Sequence, residues 1–158
     1  MTLQAGGNIL DFALPNDNGE TITLSALRGR IVVLFFYPKD DTSSCTLEAR
    51  NFSDHAMDFA KFGAAVIGIS PDSVKSHAKF KKKHLLSVAL VSDESKQTLQ
   101  ALGLWVEKSM YGRKYMGVER TTVLIDREGK VARLWSKVKV TGHAAEVFQA
   151  ARLLAETV

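Results

Sequence analysis

Two runs of apolar residues, IVVLFFY at 31–37 and AAVIGIS at 64–70, constrain this chain more than anything else in it. A strand with one wet face alternates apolar and polar residues, whereas an unbroken run rich in β-branched and aromatic residues has to be covered on both faces. The stretch between the two runs supplies one cover. After the polar residues 38–44, Ala49, Phe52, Ala56 and Phe59 recur at spacings of three and four, which predicts a helix with an apolar stripe.

The rest of the chain continues this alternation. Residues 11–24 read as a short hairpin turning at Asn18-Gly19. Pro71-Asp72-Ser73 opens a helix carrying Val74, Ala78 and Phe80, and residues 87–91 form a short strand. Ser92-Asp93 caps a helix that reaches Leu102-Gly103. Residues 121–126 form a strand that turns through Arg127-Glu128-Gly129 into another at 130–135. Thr141-Gly142 opens a last helix whose apolar positions are Ala145, Phe148, Ala151 or Arg152, and Leu154 or Ala155. Strands alternating with helices, followed by a late hairpin, predict an α/β fold: a mixed central sheet with helices on both faces and an N-terminal hairpin. The length of 158 residues suits one domain spanning residues 1–158, with no repeat or linker.

Composition narrows the function classes. No segment approaches the roughly 20 apolar residues of a membrane span, so no membrane partner is expected. The opening MTLQAGGN has neither a basic cluster nor an apolar core. The chain holds a single cysteine, which cannot close an internal disulfide, and a cytoplasmic location is expected. The net charge of +4 concentrates at Lys79, Lys81, Lys82 and Lys83. Without interleaved aromatics or a binding motif this run predicts a solvated helix face rather than a nucleic-acid surface.

A lone cysteine is most often a small buried hydrophobe. Cys45, however, follows the first buried strand by a short polar loop and lies where the next helix begins. Sites in open α/β sheets gather beyond the carboxyl ends of strands, where unpaired backbone N–H groups and the positive end of the helix dipole favour an anion such as a thiolate. Cys45 is in register with Ala49 and Phe52, so its sulfur is expected half-sheltered above the apolar face. Thr42 precedes it by three residues and is placed to hydrogen-bond the sulfur or a bound oxygen. The four histidines show no ligand spacing with the cysteine, so no zinc site is expected, and attack by a thiolate itself needs no metal or organic cofactor.

The spacing Pro38-x-x-x-Thr42-x-x-Cys45 directly after a buried strand resembles the peroxidatic motif of peroxiredoxins. FYPKDDTSSCTLEA at 36–49, YGRKYMGVERTTVLIDREGK at 111–130 and VKVTGHAAEV at 138–147 resemble the PrxQ, or bacterioferritin-comigratory-protein, branch over nearly the whole chain. The resemblance implies a thioredoxin-like fold and a thiol-dependent peroxidase acting on hydrogen peroxide and alkyl hydroperoxides. By this likeness Cys45 is the peroxidatic nucleophile, Thr42 binds the peroxide oxygens, Pro38 shapes and shields the pocket, and Arg120 is the family arginine. If the strand at 121–126 runs antiparallel to that at 31–37, Arg120 reaches the same sheet edge as Cys45. Glu48 either orients Arg120 or simply complements the helix dipole. Tyr37, Phe36, Trp105 and Met116 are candidates for an apolar collar or for plain core.

Two departures bear on the cycle. Many relatives carry a resolving cysteine five residues after the nucleophile, where this chain has Arg50, and others carry one in the helix after the next strand, which here has none. A one-cysteine mechanism is implied, completed by an external thiol: thioredoxin, glutaredoxin with glutathione, or a small thiol. Ser43-Ser44 replaces the common Pro-Gly before the nucleophile. The likeness suggests a monomer or weak homodimer. The rival readings are a redox sensor or holdase on a thioredoxin-like scaffold, and a Cys–His hydrolase using His143. A CxxC oxidoreductase is excluded, since the second cysteine is missing.

Overall fold

The computed structural model describes residues 3–157. The predicted N-terminal hairpin is β1 (Ala13–Pro15) paired antiparallel with β2 (Thr21–Thr23). Its turn is closed by Asn16, whose Oδ1 accepts the backbone N–H of Asn18 and of Glu20. Strand β3 (Val32–Phe36) is wholly buried. Helices α1 (Ser43–Asp54) and α2 (Ala56–Ala60) lead to β4 (Ala65–Ser70), α3 (Val74–His84) and β5 (Ala89–Ser92). A short helix α4 (Gln97–Ala101) precedes a hairpin of β6 (Trp105–Met110) and β7 (Arg113–Val118). Strands β8 (Thr121–Ile125) and β9 (Val131–Trp135) and helix α5 (His143–Glu156) complete the chain. None of the described helices is long and apolar enough to cross a membrane.

The central sheet has the order β5-β4-β3-β8-β9. β3 runs parallel to β4 and antiparallel to β8, so the sheet is mixed. The seven-residue apolar run has its reason here. Val33, Phe35 and Tyr37 point into a core covered by α1, α2 and α5, while Val32, Leu34 and Phe36 point into a second core under α4 and the N-terminal hairpin. Phe35 stacks between Tyr37 and Phe52, with ring centroids 5.7 Å and 4.6 Å away. The neighbouring strand makes room for its ring with Gly68, where a Cβ would stand 2.6 Å from Phe35 Cζ. Packing on Phe35 therefore seats α1, and with it Cys45, against the sheet.

Several expectations shift in register or extent. The helix expected through Phe59 breaks at His55, whose ring stacks on Phe148 of α5 at 5.4 Å, and Phe59 then meets the same ring edge-on from α2. On α3 the inward positions are His77 and Phe80, and Ala78 is exposed. The inward positions of α5 are Ala144, Val147 and Ala151, so Ala145 faces solvent, because the small residues on that face let α5 close on α1. Asp93 does cap α4, its Oδ2 accepting from Leu99 N, but a left-handed backbone at Lys96 delays the helix to Gln97. The hairpin β6–β7 was not foreseen; its turn residues Tyr111 and Gly112 both have positive φ, as a tight two-residue hairpin turn requires. Of the lysine run, Lys81 pairs with Asp17 beneath the N-terminal hairpin and Lys83 with Asp41.

Candidate active site

Pro38 ends β3 because it has no N–H to continue the ladder, and it is half-buried there. The loop that follows is fastened to α3. Asp40 is buried; its carboxylate accepts from Tyr37 Oη at 2.6 Å and Ser76 Oγ at 2.8 Å and lies 2.8 Å from His77 Nδ1. Its backbone N–H donates to Asp72 Oδ2 at 2.8 Å. Asp41, in a left-handed conformation, pairs with Lys83 and His84. The oxygens of Asp40 and Asp72 and a nitrogen of His77 lie within 4.8 Å of one another, each engaged by hydrogen bonds within the protein.

Held this way, the loop delivers Cys45 into the first turn of α1, where it is buried. The antiparallel register Phe36–Thr121 places the start of β8 at the same sheet edge. Arg120, just before β8, reaches across. Its Nη2 donates to Cys45 Sγ at 3.2 Å and its Nη1 to Glu48 Oε1 at 2.6 Å. Glu48 lies one turn beyond Cys45 on α1 and is 1% exposed, so one guanidinium binds both groups. Thr42, at the N-cap position, is exposed, and its hydroxyl donates to the Lys39 carbonyl at 2.9 Å rather than to sulfur. Its oxygen lone pairs can still accept a hydrogen bond. The expected grouping of Cys45, Arg120 and Glu48 is thus present as direct contacts, with Thr42 and Pro38 on the loop beside them.

The collar residues divide differently. Tyr37 belongs to the core under α1, Phe36 points into the opposite core, Trp105 is covered by Lys96, and Met116 is half-exposed. Arg50 donates to the carbonyl of His84 at the end of α3. His143 Nε2 is 2.7 Å from Thr122 Oγ1. Burial and the nearby Arg120 hold His143 below its ordinary value, and among the described residues its ring is hydrogen-bonded to Thr122 and not to Cys45. It therefore does not form the Cys–His pair that a hydrolase needs. The network around Asp40, Asp72 and His77 escaped sequence reasoning. Placing the buried stripe of α3 at 77 and 80 rather than 78 would have exposed it.

Glu48 is pushed up to about 7 by burial, with attraction to Arg120 recovering part of that cost. Its Oε2 is buried without a hydrogen-bond partner. Because this value lies above the ordinary 4.5, the folded protein retains a proton that the unfolded chain releases. Glu48 therefore favours folding most below about pH 4.5, and its contribution falls as pH rises toward 7, by about 3 kcal/mol at most. Denaturant unfolding of Glu48→Gln should lack this fall and gain on the wild type between pH 5 and 7. Parallel pH profiles for the two proteins would show that Glu48 does not titrate there.

The AhpC/TSA family model matches residues 5–134. The chain belongs to the AhpC/TSA family, as a peroxiredoxin. This peroxiredoxin is 44% identical over 156 residues to the Peroxiredoxin Bcp of Bacillus subtilis, covering 99% of both chains. It is 48% identical over 147 residues to a putative peroxiredoxin bcp of Coxiella burnetii, covering 93% of this chain and 97% of the relative. Among solved structures, the bacterioferritin comigratory protein of Xanthomonas campestris superposes with a TM-score of 0.90 at 39% identity, over 97% of this chain and 100% of that one. The fold is accordingly the thioredoxin-like fold of the PrxQ branch, and the peroxiredoxin is a thiol-dependent peroxidase.

Proposed function

We propose that this peroxiredoxin reduces hydrogen peroxide and alkyl hydroperoxides through Cys45, with Arg120 and Thr42 placing the substrate. The observation that carries the assignment is the 3.2 Å contact from Arg120 Nη2 to Cys45 Sγ, which sets a permanent cation against the sulfur at a helix N-terminus. The Cys45 thiolate attacks the terminal oxygen of ROOH; the O–O bond breaks, ROH leaves after protonation, and Cys45 becomes a sulfenic acid. Thr42 accepts the O–H of the hydroperoxide, since its own proton is committed to Lys39. Pro38 walls the pocket, and Glu48 orients Arg120. The reduction of alkyl peroxides by the Xanthomonas campestris relative supports the substrate class.

With a single cysteine in the chain, the cycle closes from outside. An external thiol attacks the sulfenic sulfur, water leaves, and a second thiol releases Cys45 from the mixed disulfide. Thioredoxin, glutaredoxin with glutathione, and small thiols are the candidate donors. The protein works in the cytoplasm as a monomer or weak dimer.

The test is a single turnover of reduced protein with hydrogen peroxide and with tert-butyl hydroperoxide, quenched into a sulfenic-acid reagent. Oxidation far faster than that of free cysteine is expected, with no label in a Cys45→Ser blank. A rate equal to free cysteine would leave the sensor or holdase reading instead. Turnover with each reductant in turn then identifies the donor.

A further inference from the structure

A basic groove lies beside the loop that carries Cys45. Its volume is about 500 Å³, and it runs between Asp40 and Asp41 of that loop and the outer face of α3. Lys75, Lys79 and Lys82 recur on α3 at spacings of four and three, opposite the inward His77 and Phe80. All three are exposed, and among the described residues none of them forms an ion pair. Lys83 reaches across the groove to Asp41 at 2.7 Å, so the exposed acid of the lining already has a partner. A 2.8 Å hydrogen bond from Ser76 Oγ to Asp40 joins the two walls. The cations continue beyond α3, with Lys39 exposed on the loop and Arg50 of α1 donating to the His84 carbonyl.

Chain geometry ties this groove to the chemistry. Asp41 precedes Cys45 by four residues, a stretch that spans roughly 14 Å at most. A stable protein contact covers about 800 Å² on each partner, a disc of roughly 16 Å radius. A protein footprint centred on Cys45 therefore takes in the groove. From residue 75 to 83 the lysines extend over roughly 12 Å of helix, the scale of a macromolecular surface rather than of one anionic group. Among the described residues no exposed aromatic lines the groove, so it offers charge without base stacking. The chain's single cysteine needs a thiol from outside, and that thiol has to approach past this field.

We propose that the lysine face of α3 and its groove dock the reductant of Cys45, a dithiol protein with an acidic surface around its reactive cysteine. The proposal rests on the external-thiol cycle of Cys45. In that cycle the partner's first thiol attacks the sulfenic sulfur and an S–S bond forms. The sulfenic oxygen leaves as water, taking up the thiol's proton. The partner's second thiol then breaks the mixed disulfide, so Cys45 departs as a thiol and the partner as a disulfide. Lysines with no acidic neighbour suit docking, because their attraction acts at long range and orients the encounter before any contact forms.

The experiment oxidises the full chain with one equivalent of hydrogen peroxide and follows its reduction by rapid mixing. Three reductants are compared: a thioredoxin of net negative charge, the uncharged dithiol dithiothreitol, and the anionic tripeptide glutathione. Combining Lys75→Glu, Lys79→Glu and Lys82→Glu should slow reduction by thioredoxin about a hundredfold at low salt. Added salt should bring the wild type down toward the variant. Reduction by dithiothreitol and oxidation by peroxide should not change, since these lysines make no contact with the Cys45 site. Combining Lys75→Gln, Lys79→Gln and Lys82→Gln should give an intermediate rate with thioredoxin. A charge-reversed variant that thioredoxin reduces at the wild-type rate, or that loses equally with dithiothreitol, overturns the docking role. So does a wild type that thioredoxin reduces no faster than dithiothreitol does. A loss confined to glutathione overturns it too, and gives the groove to a small anionic thiol. A wild type that peroxide oxidises no faster than free cysteine brings down the peroxidase assignment itself, and this proposal with it.

Discussion

Arg120→Met is expected to slow the oxidation of Cys45 by hydroperoxides by about a thousandfold, the largest loss for any residue other than the nucleophile itself. The variant removes both the donor to sulfur and, among the described residues, the side-chain hydrogen bond to the Glu48 carboxylate. Methionine fills much of the same volume without bringing a charge, so the pocket keeps its walls. The fold should survive. Breaking a buried pair by removing one partner ordinarily costs about 3–5 kcal/mol. Here Glu48, already pushed up to about 7 in the presence of Arg120, escapes that penalty by holding its proton. Urea unfolding at pH 6 should therefore show a smaller loss than at pH 8.5, while the single-turnover rate stays low at both. Arg120→Lys should recover only part of the rate, because one ammonium cannot span Sγ and Oε1 as the guanidinium fork does. A wild-type rate in Arg120→Met would remove Arg120 from the mechanism.

Asp40→Ala is expected to be the most damaging single change to stability outside the apolar core. The carboxylate accepts from the hydroxyls of Tyr37 and Ser76 and lies against His77 Nδ1. His77 is fully buried, and its other nitrogen faces the carbonyl of Val91 at 3.0 Å, which can only accept a proton. Alanine would strand the buried imidazole and the Tyr37 hydroxyl together. Loss of a buried charged partner costs about 3–5 kcal/mol, which for a chain of this size lowers the thermal midpoint by roughly 10 °C. Asp40→Ala with His77→Leu should lose less than the two single changes added, since neither buried polar group is then left facing the gap of the other. The same network anchors the loop that carries Thr42, so peroxide oxidation should also slow in Asp40→Ala at temperatures where it remains folded. An unchanged midpoint would show that water replaces the carboxylate at no cost.

The legible parts of this protein were those where one local pattern admits one physical solution. The run at 31–37 had to be covered on both faces, and it is, its residues divided between two cores. Asn18-Gly19 marked a hairpin turn, and that turn is present. Local pattern failed where neighbouring elements chose between near-equivalent faces. On α5 and α3 the inward stripe moved by one residue, because packing selected Ala144 over Ala145 and a hydrogen-bonded His77 over Ala78. The hairpin β6–β7 escaped because its residues are mostly exposed and mixed in polarity, so little periodicity marks it.

The candidate site divides along the same line. Cys45 was marked by its place between a buried strand and a helix start, and Pro38, Thr42 and Arg120 by their spacing and family likeness; the single cysteine already required a borrowed thiol. Only the tertiary structure could decide that Arg120 bridges Cys45 and Glu48. That contact joins residues 75 and 72 positions apart, which the β3–β8 register alone brings to one edge. The same holds for Asp40 with His77. A sequence determines which surfaces must be buried, because that cost is local; which charges then face one another depends on how the buried surfaces close.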